Sequence, residues 1–247
     1  ITLIEVETDA ITVVCTGGDH QLGGKNWDEA IASWFAEQFS NETGVAADNL
    51  TGDPETWQEL LNSAENAKVA LSTRAKYEQR IRYDVERATV ELTRAKFDEL
   101  TAHLLERTIS LTEELLATAK TKGHTQIDKL LLVGGSTYMP QIIDAVKAKF
   151  AFDVQQFDPN QAVAKGAALF GFKCYLDEQI KIQIAEQTGE VAVDVDLDGA
   201  ADEVRAKAEE HVAQEYGLSL PGLRNLTQQK ISNVTSKSFG IVVMDSD

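Results

Sequence analysis

The sequence is poor in cysteine, proline and long apolar runs, and each shortage narrows the class of protein. It has 2 cysteines and 4 prolines among 247 residues. Cys15 and Cys174 belong to no CxxC or Cys/His spacing, so neither a disulfide framework nor a cysteine metal site is predicted. No segment approaches the roughly 20 apolar residues that a membrane helix requires. We therefore expect a protein of the reducing cytoplasm with no membrane contact.

Basic residues are also scarce: 23 Lys and Arg stand against 40 Asp and Glu, for a net charge of −17. No polybasic run is present that could follow a phosphate backbone, so nucleic acid is not an expected partner. A hydrophobic content of 43% is enough for one substantial core or two small ones. A globular chain is predicted.

The common catalytic motifs are missing as well. The sequence contains no GxGxxG, GxxxxGK[ST], HExxH or GxSxG pattern, and its histidines lie in separate segments. Ordinary dinucleotide and Walker sites are excluded on this basis. We predict neither a metal site nor a catalytic residue within this chain.

The first half of the chain alternates strand and helix patterns. It begins abruptly with a strand, as if cut from something longer, and "ITLIEVE" and "ITVVC" predict a hairpin. Asn26 is the predicted cap of a first helix, and Asp53-Pro54 of a second. Alternation from Ile81 to Leu92 predicts two strands, after which Thr93 caps a long helix.

The middle of the chain has the pattern of an α/β protein. "IDKLLLVGG" is apolar at successive positions, which predicts a central parallel strand covered on both faces. A helix with Pro140 in its first turn, a short strand around Val154 and a helix over "QAVAKGAALFG" follow. The fold class is therefore α/β, a mixed sheet with covering helices.

Beyond Phe172 the pattern changes. Strict alternation on both sides of Thr188-Gly189 predicts a β-hairpin, "ADEVRAKAEEHVAQEYGL" predicts a charged helix, and "KSFGIVVMD" predicts a final strand. "DVDLDG" has the spacing that opens a calcium loop, but Arg205 stands where the loop needs a glutamate. Its aspartates are instead predicted on the wet face of a strand.

Two groups of residues are candidates for ligand binding. Gly134-Gly135-Ser136 follows the predicted parallel strand, where bare backbone N–H groups let an anion or a planar ring approach closely. Glu65, Lys68 and Ser72, spaced i, i+3 and i+7, share one helix face. Each group has a structural alternative: a simple glycine turn, and a Glu65–Lys68 ion pair, which the spacing alone favours.

Taken together, these segments resemble a known family. The blocks "GGDHQLGGKNWDEAI", "AENAKVALS", "TRAKFDEL", "LLLVGGSTYMP" and "DPNQAVAKGAALFG" occur in the order and spacing of the ATPase domain of the seventy-kilodalton heat-shock chaperones, the DnaK type. The resemblance implies an actin-like ATPase fold, of which residues 1–172 form the second lobe. Its sheet subdomain would comprise residues 1–25 and 104–172, and its cap subdomain residues 26–103.

The rest of the chain has a weaker counterpart in that family. Residues 173–230 form an extension of unknown role, in which we expect the small hairpin and the helix. Residues 231–247 faintly resemble the first strand of the family's peptide-binding domain.

The resemblance also implies a ligand, ATP or ADP, with the adenosine between the two subdomains. Glu65, Lys68 and Ser72 match positions that bind ribose and base, and Gly134, Gly135 and Ser136 match the turn that lies against the nucleoside. Tyr138 stands where the family usually has an arginine packing on adenine, Val69 replaces another common arginine, and Asn160 replaces an aspartate. A tyrosine ring could stack on the base as well.

What the family uses for catalysis belongs to its other lobe: the first phosphate loop, the catalytic lysine and the acidic residues that position magnesium. Magnesium is therefore expected only together with that lobe, and this chain alone is not expected to hydrolyse ATP. Unfolded peptides and co-chaperones are the partners expected of the intact protein. Two alternatives stay open: an actin-like-fold protein-interaction module that has lost ATP turnover, and a sugar-kinase or actin-type relative.

Overall fold

The computed structural model describes residues 1–232, which belong to two compact units. Unit 1 consists of Ile1 and Gly17–Asn160, and unit 2 of Thr2–Thr16 and the chain from Gln161 onward. In chain order, the helices and strands are β1 (Thr2–Val6), β2 (Ala10–Thr16), α1 (Gly24–Thr43), α2 (Ala47–Gly52), α3 (Pro54–Leu71), β3 (Lys76–Tyr83), β4 (Glu86–Thr93), α4 (Arg94–Thr121), β5 (Lys129–Leu132), α5 (Pro140–Lys149), β6 (Asp153–Gln156), α6 (Ala162–Thr188), α7 (Asp202–Glu215), α8 (Leu220–Thr227) and β7 (Lys230–Ser232). The predicted α/β class is confirmed.

Local capping determines where the helices of unit 1 begin. The Asp53 carboxylate accepts the Thr56 N–H at 3.1 Å at the start of α3, and Thr93 Oγ1 accepts the Lys96 N–H at 3.2 Å at the start of α4. Both caps are as predicted. The predicted Asn26 cap is wrong: α1 starts earlier, Gly23 is its cap, and Asn26 Oδ1 accepts the Gly23 N–H at 2.8 Å from within the first turn.

The core of unit 1 lies between α1, α3 and the β3–β4 hairpin. The hairpin is antiparallel with Ile81 opposite Ala88, and alternate residues of β4 turn inward. The fully buried side chains include Ile31, Phe35, Phe39, Leu50, Leu71, Leu92 and Phe97. Since burial of one such side chain contributes about 1.5–3 kcal/mol, this cluster fixes α3 firmly against α1.

β5 and β6 form a separate two-stranded parallel sheet in unit 1, with Leu130 beside Val154. The predicted parallel pairing is confirmed. The prediction that β5 is covered on both faces is wrong, because Leu132 is buried while Leu131 is 52% exposed. Among the described residues β5 pairs with β6 alone.

Unit 2 combines a small sheet with three helices. Its strand order is β1-β2-β7, with the predicted β1–β2 hairpin antiparallel and β7 parallel to β2. The hairpin predicted around Thr188-Gly189 is wrong, since α6 continues to Thr188 and Gly189 is its left-handed C-cap, with φ 78°. Ile180 and Ile184, one turn apart, are buried against α7 and α8. Residues spaced i, i+4 lie on one face of a helix and also on one face of a strand, so this spacing does not distinguish the two.

The segment after α6 also differs from expectation. The strand predicted for Asp194, Asp196 and Asp198 is wrong: a 3-10 turn spans Ala192–Asp194 and leaves Val193 80% exposed. The predicted charged helix is confirmed as α7. The strand predicted over "KSFGIVVMD" lies outside the described residues. Among residues 1–232, none of the helices has the length and apolar character of a membrane span.

Candidate functional site

Helix α3 carries the first group of candidate residues. Glu65 and Lys68 lie on its last turns, and Ser72 is the residue that caps its C-terminus. The Ser72 hydroxyl donates to the Lys68 carbonyl at 3.2 Å. Because the helix is unbroken from Pro54, the predicted spacing places all three on one face.

The second group forms the turn that follows β5. Gly134 has φ 97° and ψ 154°, a conformation that essentially only glycine adopts. Its carbonyl accepts the Thr137 N–H at 3.0 Å, which closes a 3-10 turn over Gly135–Tyr138, and also the Thr137 hydroxyl at 2.7 Å. Its N–H donates to the Pro159 carbonyl at 2.9 Å, and Met139, 1% exposed, anchors the far end of the turn. The turn is therefore held rigidly at both ends.

The outer surface of this turn is open. A Cβ atom added to Gly134 or Gly135 would meet no heavy atom within 4 Å. The Tyr138 ring at the end of the turn is 43% exposed, and Asn160, exposed, directly follows the Pro159 carbonyl that holds Gly134. A planar group can therefore approach the backbone here without displacing a side chain.

The two groups meet beside Gly24, the first residue of α1. A Cβ atom built on Gly24 would lie 3.2 Å from Lys68 Nζ and 3.3 Å from Ser136 Oγ. Lys68 Nζ also donates to the Gly24 carbonyl at 3.2 Å. The structure thus brings an ammonium group and a hydroxyl group together against a bare stretch of backbone, although their residues are far apart in the sequence.

Lys68 pairs with a residue that the sequence did not single out. Instead of the Glu65 partner that the spacing favoured, Lys68 Nζ contacts Asp28 Oδ2 at 2.7 Å, and both side chains are less than 15% exposed. Burial raises the pKa of the Asp28 carboxyl, the hydrogen bond and charge of Lys68 oppose that rise, and the charges of Glu65 and Glu29 add to it.

Gly24 and Asp28 were therefore missed as members of the site. Both lie in the block "GGKNWDEAI", but their proximity to Lys68 depends on how α1 packs on α3, since Asp28 and Lys68 are 40 residues apart in the sequence. No local pattern contains that information. The two adjacent glycines before the helix are the local signal from which a close backbone approach could have been predicted.

Unit 2 contains a cleft of about 1140 Å³ whose lining includes Lys173, Asp177, Arg205 and Lys230. Its charges largely compensate one another: Lys173 pairs with Asp177 at 2.6 Å, and Lys230 with Asp198 at 3.0 Å. In the part of the chain that the structure describes, no group of three or more His, Cys, Asp and Glu side chains could hold a metal ion. The candidate site is therefore the one in unit 1.

Comparison with known proteins places this chain in a family. The family model for "Hsp70 protein" matches residues 1–174. The chain belongs to the Hsp70 family. The chaperone protein DnaK of Anaplasma marginale is 34% identical over 179 residues, which are 69% of this chain and 27% of that protein. The chaperone protein DnaK of Thermosipho africanus is 35% identical over 176 residues, which are 68% of this chain and 29% of that protein.

The Hsp70 match has a definite extent along the chain. All eight candidate residues, from Glu65 to Asn160, lie inside residues 1–174, whereas α7 and α8 lie beyond them. The chain spans less than a third of the length of these DnaK relatives, since the aligned parts are 27% and 29% of them.

Proposed function

We propose that this chain is the adenine-nucleotide-binding lobe of a DnaK-type chaperone ATPase, with the actin-like fold that its family resemblance implies. The observation that carries the proposal is the convergence of Lys68 Nζ and Ser136 Oγ beside Gly24, next to the open Gly134-Gly135 backbone. An ammonium and a hydroxyl suit the hydroxyl groups of a ribose, and a bare turn suits a flat base. Nucleotide binding is what the family relationship supports in general.

In this proposal each candidate residue contacts a definite part of ADP or ATP. Lys68, Glu65 and Ser72 face the ribose and the edge of the base. Gly134, Gly135 and Ser136 lie under the nucleoside, and Tyr138, partly exposed at the end of the turn, stacks on the adenine. Asn160 flanks the turn through its neighbour Pro159. The glycines fit because no side chain lies within 4 Å of where their Cβ atoms would be.

We place hydrolysis outside these residues. Phosphoryl transfer requires groups that position the nucleophile and neutralise the developing charge, often with magnesium. The candidate site offers one ammonium already paired with Asp28 and no metal-ligand cluster within residues 1–232. Turnover, magnesium binding and the coupling to unfolded peptides and co-chaperones are therefore proposed for the intact chaperone, with the family's other lobe supplying the catalytic groups.

A second candidate function is a protein-interaction module that keeps the fold without turnover. It is favoured by the exposed apolar surface at two positions where the family usually carries arginine: Val69 is 64% exposed and Tyr138 is 43% exposed. Exposed apolar side chains of this kind can serve as contacts for a partner.

Calorimetric titration with ADP and magnesium tests the first proposal. Gly135→Trp should fill the open surface of the turn and abolish saturable binding. The matched control is Gly52→Trp, because Gly52 also has no heavy atom within 4 Å of its Cβ position. Gly52 lies next to the start of α3, whose 18 residues place it about 25 Å from the Lys68 end.

Binding by the unchanged chain and by Gly52→Trp, but not by Gly135→Trp, is the expected result. Absence of binding in the unchanged chain at millimolar ADP would contradict a nucleotide site in this chain. Equal loss in both tryptophan variants would show damage to the fold instead of a filled pocket, and would remove the support for this location.

A further inference from the structure

Asp28 has a carboxylate at the candidate site that no step of the proposed function uses. It lies in the second turn of α1, with Oδ2 at 2.7 Å from Lys68 Nζ and a side chain that is 13% exposed. The other oxygen, Oδ1, is sealed from solvent and has no hydrogen-bond partner among residues 1–232. A buried carboxylate with one unsatisfied oxygen is costly, so its retention beside a binding site indicates a use.

The use of the Asp28 carboxylate follows from the hydrogen-bond donors of Lys68. A lysine ammonium has three N–H donors on a long flexible stem. Two of them are engaged by α1: one by Asp28 Oδ2 and one by the Gly24 carbonyl at 3.2 Å. One donor remains, and Ser136 Oγ approaches the same Gly24 from the turn after β5. With both acceptors on one helix, the ammonium has a fixed position before any ligand arrives.

We propose that Asp28 is a positioning residue for nucleotide binding, which holds the Lys68 ammonium so that its third N–H and the Ser136 hydroxyl are both directed at the ribose of the nucleotide. This inference rests on the proposed function. A lysine that is already ordered does not lose its rotamer freedom when the ligand binds, so the ligand is held more tightly.

The charge of Asp28 is essential to this role. The charged groups that act on it are Lys68 and Glu65 from α3 and Glu29 from α1 itself. Burial raises its pKa, so the carboxyl takes up a proton at a higher pH than an exposed aspartate. Protonation would release Lys68, and the affinity for nucleotide should therefore fall as the pH is lowered into the acid range.

Asp28→Asn tests the inference, because it keeps the shape of the side chain and removes its charge. The matched control is Glu37→Gln, which removes the same charge from an exposed residue farther along α1 that is not among the charged groups acting on Asp28. ADP and 2′,3′-dideoxy-ADP are titrated calorimetrically into the chain and both variants between about pH 5 and about pH 8.

We expect Asp28→Asn to lower the affinity for ADP about tenfold at neutral pH. This factor corresponds to the free energy of ordering one long side chain on binding. The affinity for dideoxy-ADP should stay unchanged, because this ligand lacks the hydroxyl groups that Lys68 and Ser136 meet. Glu37→Gln should bind both ligands like the unchanged chain. The acid-range loss of ADP affinity should be present in the unchanged chain and absent from Asp28→Asn.

The contrary outcomes are distinguishable. If the unchanged chain binds no ADP, the proposed function fails and this inference fails with it. If the unchanged chain binds ADP and Asp28→Asn binds it equally well, the positioning role alone is wrong. Equal losses for ADP and dideoxy-ADP would show a structural role for Asp28 and would also overturn the inference.

Discussion

Asp28 and Lys68, 40 residues apart in the sequence, form a nearly buried ion pair of 2.7 Å that joins the first turns of α1 to the last turns of α3. Because both helices are fixed by the same core of aromatic and aliphatic side chains, the pair has little freedom to separate. The Gly134–Tyr138 turn meets the same point through Ser136. Three separate segments of unit 1 thus meet at one small polar cluster.

Gly24→Ala should weaken ADP binding on the order of tenfold, or about 1.4 kcal/mol. Its methyl group would lie 3.2 Å from Lys68 Nζ and 3.3 Å from Ser136 Oγ, and would force both away from the ligand. The free energy of unfolding should change by less than about 1 kcal/mol, since the gain in helix propensity offsets the strain that the methyl group places on the Asp28–Lys68 pair.

Gly23→Ala is the neighbouring control for that variant. Gly23 has an extended backbone with φ −169°, and a Cβ there meets nothing within 4 Å. Calorimetry and urea unfolding on the two variants should separate binding from stability. Equal ADP affinities for Gly24→Ala and the unchanged chain would show that the Gly24 contact does not limit the site.

Asp28→Asn should change how stability depends on pH. The pKa of Asp28 is raised above its ordinary value of 3.8 in the folded protein, so the folded state holds its proton more tightly than the unfolded state does. The stability from this group is complete below pH 3.8 and is lost as the pH rises through the folded-state pKa. The free energy of unfolding of the variant, relative to the unchanged chain, should therefore increase across that window and then level off.

Urea unfolding at a series of pH values measures this difference. Glu37→Gln serves as the control and should run parallel to the unchanged chain. A difference curve for Asp28→Asn that falls with pH would mean that Lys68 outweighs the cost of burying Asp28, and that the pKa of Asp28 is lowered instead of raised.

Tyr138→Ala should lower the affinity for ADP about tenfold, through loss of one stacking contact between a base and an aromatic ring. Tyr138→Phe keeps the ring and should bind like the unchanged chain. The ring is 43% exposed and the turn that carries it is anchored by Met139, so neither variant should unfold the protein. Binding by Tyr138→Ala that matches the unchanged chain would place the base elsewhere.

Glu209→Ala should destabilise unit 2 by about 3 kcal/mol, the lower end of the range for breaking a buried pair. Glu209 is 2% exposed and accepts from Arg205 at 3.0 Å and from Arg224 at 2.7 Å, while both arginines keep partial contact with water. Its removal leaves two guanidinium groups without their common partner.

The tryptophans allow this loss to be located. Trp27, Trp34 and Trp57 all lie in unit 1, so tryptophan fluorescence reports on that unit, whereas far-ultraviolet circular dichroism reports on the helices of both. In Glu209→Ala the dichroism transition should move to lower urea and the fluorescence transition should stay in place. Movement of both by the same amount would show that the two units unfold as one.

Features encoded by adjacent residues could be predicted, and features encoded by distant ones could not. Asp53 and Thr93 cap their helices as expected because a cap depends on four consecutive residues. Gly189 was misinterpreted because a glycine after an apolar run ends a helix as readily as it turns a hairpin. The alternation of Ile180, Ile182 and Ile184 contains an i, i+4 pair, which fits a strand and a helix equally. Packing of Ile180 and Ile184 against α7 and α8 stabilises the helix.

The candidate site shows the same division. The face with Glu65, Lys68 and Ser72 follows from helical spacing, and the bare turn at Gly134 follows from its two glycines. The partner of Lys68 was predicted from proximity in the sequence, but the partner in the structure comes from another helix. Tertiary packing brought Asp28 within 2.7 Å, whereas Glu65 remained exposed to solvent.

The parallel pairing of β7 with β2 has a consequence for how the chain folds during its synthesis. Ile11 lies beside Ile231, so the strand pair closes a loop that contains the whole of Gly17–Asn160. On the ribosome the β1–β2 hairpin emerges before unit 1, which can then complete its core while the hairpin still lacks the rest of its own unit. The hairpin is therefore synthesised before unit 1 but completed after it, and a chain interrupted near residue 160 would contain a folded unit 1 and a hairpin without its partner strand β7.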